Sequence, residues 1–179
     1  MPLTYDDITG LNGLEDNIGG ISTRVFWAPK SWFATIGAVA DFATATTASE
    51  LVEISTDHTF TTGKGFLEIY STRDKGKDEI ATVGERDGKG SLNKGKIFNP
   101  GVNVAKLGQY RMMKNDSGIW LFELSDGVLI QLGSNRFPAE QSVKFDTAQN
   151  ESGVRGTEIE VTAFESFIQV YTGAVTMKP

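Results

Sequence analysis

Cysteine is absent from the 179 residues, and histidine occurs once, as His58. A chain without thiols offers no disulfide, no zinc–thiolate or iron–sulfur site and no cysteine nucleophile. His58 follows Asp57, but neighbouring residues of a strand point to opposite faces, so this pair is badly placed to act as a base and its orienting carboxylate. We therefore expect His58 to be solvated or to cap a turn, and its removal to leave folding unchanged. No catalytic residue and no enzymatic activity are predicted.

Motifs for phosphate or metal binding are incomplete. Residues 84–91 are glycine-rich, but the spacing is one residue short of a phosphate loop and Gly90 separates Lys89 from the hydroxyl of Ser91. Residues 115–118 supply oxygen ligands without the distal glutamate of a calcium loop. Both segments are interpreted as turns, and neither a cofactor nor a metal is predicted.

Long apolar runs and an excess of positive charge are also missing. No run approaches the roughly 18 apolar residues of a membrane-spanning helix, and residues 1–20 are acidic and glycine-rich, unlike an export signal. The formal charge is −6, from 17 basic and 23 acidic residues. Because gripping nucleic acid requires clustered Lys and Arg, we expect no membrane association and no tight hold on DNA.

The clearest local signal is a β-hairpin over residues 118–133. Two apolar runs, rich in aromatic and β-branched residues, flank Ser125-Asp126-Gly127, and Asp-Gly between such runs predicts a tight turn. Both faces of the first arm carry apolar side chains, so the hairpin is predicted to be covered on both sides. This pattern indicates a core built on antiparallel β-structure.

Before this hairpin, the pattern predicts an N-terminal arm over residues 1–20, followed by a single domain over residues 21–179. Two strand-like pieces meet at Pro29, which suits an edge, a bulge or a bend. Residues 37–49 have no apolar periodicity and predict a long loop. Residues 66–72 and 78–85 are predicted to form a second hairpin with a charged tip.

One helix is predicted after Asn99-Pro100-Gly101, with Asn99 as its cap and Pro100 in its first turn. With about nine strands at sandwich or barrel intervals, the chain is predicted to be mostly β. The expected fold is an antiparallel β-sandwich or half-open barrel with one flanking α-helix.

The order of these landmarks resembles the tail tube proteins of tailed bacteriophages over about residues 66–175. The segments that carry the resemblance are Val83-Gly84-Glu85-Arg86-Asp87-Gly88, Ile97-Phe98-Asn99-Pro100-Gly101, Asn115-Asp116, Asp126-Gly127, Leu132-Gly133-Ser134-Asn135-Arg136-Phe137-Pro138-Ala139, Gly156-Thr157-Glu158-Ile159-Glu160-Val161-Thr162-Ala163 and Val170-Tyr171-Thr172-Gly173.

The resemblance implies a structural protein of the virion tail, made in the host cytoplasm. Its inner sheets would join six to a ring around a lumen, and the rings would stack through the long loop. The implied partners are further copies of the chain, other tail proteins and genome DNA passing through an acidic conduit without specific binding. Within the loop, the candidates for the subunit interface are Phe42, Thr44, Thr46 and Thr47.

Two other classes of function stay open. The chain could be another virion part, such as a head–tail connector, head or baseplate protein, or an acidic β-sandwich binding module. A β-sandwich hydrolase or carbohydrate binder should place exposed aromatic residues beside carboxylates in a cleft. Because the pattern predicts that Trp27, Trp32 and Trp120 are buried, this class ranks third.

Overall fold

The computed structural model describes residues 3–10, 17–149 and 151–179. These residues are mostly β, with 43% in strands and 9% in helix, and the single α-helix among them flanks a multi-stranded sheet. The predicted fold class is confirmed. Twelve strands are found in the described residues, where about nine were expected, and four of the twelve are only two or three residues long.

The strands and the helix have the following bounds: β1 Ile21–Pro29, β2 Phe33–Thr35, β3 Glu53–Ile54, β4 Thr59–Phe60, β5 Leu67–Tyr70, β6 Lys77–Val83, β7 Gly90–Pro100, α1 Val104–Met113, β8 Ser117–Leu124, β9 Leu129–Leu132, β10 Ala139–Asp146, β11 Gly156–Glu165 and β12 Gln169–Tyr171.

The main strands are hydrogen-bonded into one ten-stranded sheet, which a short corner divides into two parts that are called sheets below. Pairings in the order β5–β1–β8–β9–β12–β3 make a six-stranded sheet, and β6–β7–β11–β10 make a four-stranded one. The corner is short, since β8 and β10 pair only at Gly118↔Ala139 and Ser117↔Glu140. β2 and β4 form a separate two-stranded ribbon. This arrangement is that of a β-sandwich or half-open barrel.

The main core lies between the two sheets. Trp120 and Phe122 of β8 are fully buried there, against Ile159 and Val161 of β11. Gly95 of β7 lies directly beneath the ring of Phe122, where a Cβ would approach Cζ to 2.4 Å. The close approach of β7 to this ring therefore requires glycine.

A second apolar layer covers the outer face of the six-stranded sheet. Ile119 and Leu121, which alternate with Trp120 and Phe122 along β8, contact Phe66, Ile54 and neighbouring residues of the segment that follows β1. The predicted hairpin is confirmed, with Phe122 opposite Ile130, and β8 is covered on both faces as the pattern of apolar residues indicated.

The second predicted hairpin, over residues 66–72 and 78–85, is wrong. β5 pairs with β1, and β6 pairs with β7, so the intervening residues cross from one sheet to the other. Thr72 marks the crossing, since its N–H donates to the carbonyl of Phe98 in β7 at 2.8 Å. Sequence spacing could not show that longer strands elsewhere offered both segments better partners.

The helix begins later than predicted. β7 continues through Asn99 and Pro100, and the cap is Asn103, whose side-chain oxygen accepts from the N–H of Ala105 at 2.7 Å. Asn99 is recruited into the sheet, and its side chain donates to the carbonyl of Tyr70. Tyr110 and Met113 are the helix residues buried in the main core.

The three tryptophans differ in how deeply they are buried. Trp27 and Trp120 are buried, with ring centroids 6.0 Å apart, as predicted. Trp32 is only partly buried, which contradicts the prediction, because it lies in the short 3₁₀ turn that bends the chain after Pro29. Lys64 and Lys178 contact its ring, at 4.8 and 5.5 Å from the centroid.

Candidate functional site

The outer face of the four-stranded sheet is the large sheet face that stays exposed in the described part of the chain. Opposite charges face each other across its strands, as Glu79↔Lys94, Lys96↔Glu160 and Lys144↔Glu158. Lys96 and Glu158 also form a salt bridge of 2.7 Å. Glu158 and Glu160 share this face of β11, as the two-residue period of a strand requires, and they lie among lysines.

The charge on this face is nearly balanced. Its residues include four lysines and five acids, for a net charge of −1: Lys77, Lys94, Lys96, Lys144, Glu79, Glu140, Asp146, Glu158 and Glu160. Most of the −6 carried by the chain therefore lies elsewhere. The lysines of this face lie beside carboxylates that offset their positive charge.

Both edges of the four-stranded sheet are unpaired over most of their length. In the described residues, β6 pairs only with β7. β10 pairs with β11 throughout but with β8 only at Ala139 and Glu140, so residues 141–146 expose a second edge. Such edges are ready templates for pairing with another chain.

The loop over residues 37–49 contains the four residues predicted for a subunit interface. Phe42 is 82% exposed, and Thr44, Thr46 and Thr47 are exposed as well. The threonines are held within the loop, because Thr46 donates through both N–H and hydroxyl to Glu50 at 2.8 Å. These hydrogen bonds, that from the Thr46 N–H first, lower the pKa of Glu50. Phe42 is thus presented outward by an internally bonded loop.

His58 is buried, and the prediction of a solvated or capping residue is wrong. Its Nδ1 accepts from the N–H of Gly37 at 3.0 Å, so the proton lies on Nε2, which donates to Oε1 of Gln131 at 2.9 Å. Burial, opposed by the Gln131 hydrogen bond, lowers the pKa of His58. Both ring nitrogens are occupied by structural hydrogen bonds, so His58 has no nitrogen left for catalysis.

A second buried polar cluster was missed by sequence reasoning. Glu165, at the end of β11, is 3% exposed and accepts from the N–H of Gly133 at 2.5 Å and from Asn93 at 3.1 Å. The strict alternation of β11 places Glu165 on the inward face with Ile159, Val161 and Ala163. Glu165 lies an even number of residues from these apolar side chains, and this spacing is the signal in the sequence that could have revealed a buried acid.

A groove of 560 Å³ lies between α1 and β5. The residues that line it include Trp32, Tyr70, Lys106, Tyr110 and Met112. The carboxylate in this groove, Glu68, forms a salt bridge of 3.2 Å with Arg24. The groove has the aromatic residues of a binding site, but its carboxylate is already paired.

Among the described residues, no group of three or more His, Asp or Glu side chains could hold a metal ion. In the same residues, no helix has the length and apolar character to cross a bilayer. Comparison with protein-family models, with curated proteins and with solved structures finds no match for this chain. The functional interpretation therefore depends on the surfaces described above.

Proposed function

We propose that this chain is a structural subunit of a bacteriophage tail tube, polymerising as stacked rings around a lumen through which genome DNA passes. The observation that supports it is the four-stranded sheet, with two unpaired edges and one exposed face. The proposal places the protein in the virion tail after synthesis in the host cytoplasm, with further copies of itself and other tail proteins as partners.

The two edges are suited to joining head to tail. Neighbouring strands in this sheet are all antiparallel, so β6 and β10 run in opposite directions. Pairing β10 of one copy with β6 of the next continues the antiparallel order, and the joined edges have similar lengths, six residues of β10 and seven of β6. A heterologous contact of this kind generates a ring when its rotation closes.

In such a ring the exposed sheet face lines the lumen. Three of its four lysines face glutamates across the strands, and the fourth, Lys77, forms a salt bridge with Glu79 of its own strand. Few uncompensated positive charges therefore face a polyanion, and the acidity of the rest of the chain adds repulsion. DNA then slides past without binding. We expect no retardation of duplex DNA by the purified protein at physiological salt.

Cross-linking tests the edge contact directly, because the chain has no cysteine. Ala81→Cys places a thiol on β6 and Ser142→Cys places one on β10, both at exposed positions. A mixture of the two proteins, assembled and then oxidised, should give covalent dimers. Thr162→Cys, exposed on the central strand β11, is the matched control and should cross-link with neither.

Negative-stain microscopy of the same samples supplies the second readout. Rings or hollow tubes together with β6–β10 cross-links support the proposal. Rings that never stack would favour another virion part, such as a connector or baseplate protein. Monomers at high concentration, with no cross-links between Ala81→Cys and Ser142→Cys proteins, would contradict it.

The groove beneath α1 favours one alternative, an acidic β-sandwich binding module. Its half-exposed Tyr70 and partly buried Trp32 resemble a platform for an apolar or ring-shaped ligand. Tryptophan fluorescence during titration with a small-molecule or glycan panel tests this function. A change in emission that Tyr70→Ala weakens would favour the module, while an unchanged spectrum would count against it.

A further inference from the structure

Glu165 is buried without a positive partner. Its carboxylate contacts the backbone N–H of Gly133 in the loop after β9 and the side-chain amide of Asn93 in β7. The inward-facing neighbours on β7 are neutral, Ser91 and Gly95, because Lys94 and Lys96 lie on the opposite face. On β6 the ionisable inward residue is Asp78, another acid, which cannot neutralise the charge of Glu165.

Asn93 is the side chain that contacts the carboxyl group of Glu165. It is fully buried, and while its Nδ2 lies 3.1 Å from Oε2 of Glu165, its Oδ1 has no hydrogen-bond partner. An unpaired buried amide oxygen is costly. A half-turn of the amide exchanges its oxygen and nitrogen in nearly the same volume, brings Oδ1 to Oε2 of Glu165 and leaves Nδ2 in the unpaired position. The contact of Oδ1 with Oε2 is a hydrogen bond only if Glu165 carries a proton. Each orientation leaves one amide atom unpaired, so the protonation of Glu165, which its burial without a positive partner favours, decides between them.

Ser91 does not compete for this role. It lies opposite Glu165 in the pairing of β7 with β11, but its buried hydroxyl has no partner within hydrogen-bond range. The N–H of Gly133 can donate to a carboxylate or to the carbonyl oxygen of a carboxylic acid. Asn93 is therefore the one contacting group whose hydrogen bonding depends on the protonation of Glu165.

We propose that Glu165 is a neutral acid in the folded protein and donates its proton to the side-chain carbonyl of Asn93. The proton then acts as a structural ligand that joins β11 to β7, while the hydrogen bond from Gly133 holds the loop after β9 in either protonation state. This inference concerns the folded chain and does not depend on its assembly into a tube.

The predicted consequence is a loss of stability as pH rises. Burial, with a smaller contribution from Asp78, raises the pKa of Glu165 from 4.5 to about 8. Between these two values the unfolded chain has released the proton and the folded chain retains it, so the contribution of Glu165 to stability is complete below about pH 4.5 and falls until about pH 8. The unfolding equilibrium constant should increase by up to about tenfold per pH unit in that window.

Denaturant unfolding between pH 6.5 and 8 tests the linkage, since Asp78, with a pKa raised to about 6 mainly by burial, has largely ionised below that range. Wild-type protein should lose stability across the window, and Glu165→Gln should abolish the slope, because glutamine reproduces the neutral donor and acceptor. Glu160→Gln, on the exposed face of the same strand, is the matched control and should keep the wild-type slope.

A carbon-detected NMR titration of the wild-type side-chain carboxyls tests the protonation itself, even if Glu165→Gln does not fold. The Glu165 carbon should titrate near pH 8, and a midpoint below pH 6 would overturn the proposal. So would a Glu165→Gln slope equal to that of wild type. Stabilisation of wild type by millimolar calcium or magnesium, reversed by EDTA and lost in Glu165→Gln, would show that a cation takes the place of the proton.

Discussion

His58 stacks face to face on Tyr171, with ring centroids 4.4 Å apart and planes within 1° of parallel. The N–H of His58 also donates to the Tyr171 hydroxyl at 3.1 Å, and that hydroxyl donates to the carbonyl of Ala174. The single histidine thus ties the segment before β4 to the last strand of the sheet. Its role is structural.

His58→Ala should destabilise the fold by about 2 to 4 kcal/mol, because it leaves a cavity and unpairs buried polar groups of Gly37 and Gln131. Chemical denaturation measures this change, with Thr62→Ala, an exposed neighbour, as the control. Equal stabilities for the two variants would mean that the histidine stack contributes nothing.

The stabilisation by His58 should decrease in acid. Because burial lowers its pKa below 6.5, the contribution is complete above about pH 6.5 and is lost as pH falls toward the folded-state value. The difference in unfolding free energy between wild type and His58→Gln should be larger at pH 7 than at pH 5. A constant difference across that range would contradict a buried neutral ring.

Leu121→Ala and Phe122→Ala should each cost about 2 to 5 kcal/mol of unfolding free energy, through lost burial and a cavity. Both side chains are fully buried, on opposite faces of β8. Val128→Ala, at the partly exposed turn of the same hairpin, is the control and should change stability by less than about half a kcal/mol. Urea melts of the three variants check the ranking.

Gly95→Ala should destabilise the protein by about 1 to 3 kcal/mol, because the added methyl group overlaps the ring of Phe122. The double variant with Phe122→Leu should lose less unfolding free energy than the sum of the two single variants, because the smaller leucine leaves room for the added methyl group. A double-mutant cycle in denaturant measures this coupling. Strict additivity would show that the two residues do not contact each other.

Phe42→Ala should leave unfolding unchanged within about half a kcal/mol, because the ring is 82% exposed, while weakening tube formation. Phe60→Ala is the matched control, since Phe60 lies 4.5 Å from Phe33 and 5.2 Å from Phe66 between ring centroids and should destabilise the monomer. Thermal melts and microscopy at equal protein concentration separate the two effects. Wild-type tubes from Phe42→Ala would remove this loop from the proposed stacking contact.

Local patterns in the sequence were enough to predict the fold class and the central hairpin. The Asp-Gly turn and the two apolar faces of residues 118–124 depend on neighbours in the chain, so turn chemistry and the two-residue period of strands apply directly. The same period placed Glu158 and Glu160 on one face of β11.

Only the tertiary structure decided the contacts between residues far apart in the chain. The partners of β5 and β6, the recruitment of Asn99 into the sheet in place of capping α1, and the burial of His58 and Glu165 all depend on which distant segments pack together. His58 meets Gln131 and Tyr171 across 73 and 113 residues, and no local period encodes such distances. Local propensity amounts to about 1 kcal/mol per residue at most for residues other than proline, whereas burying one large apolar side chain contributes about 1.5 to 3 kcal/mol, so packing determined the outcome.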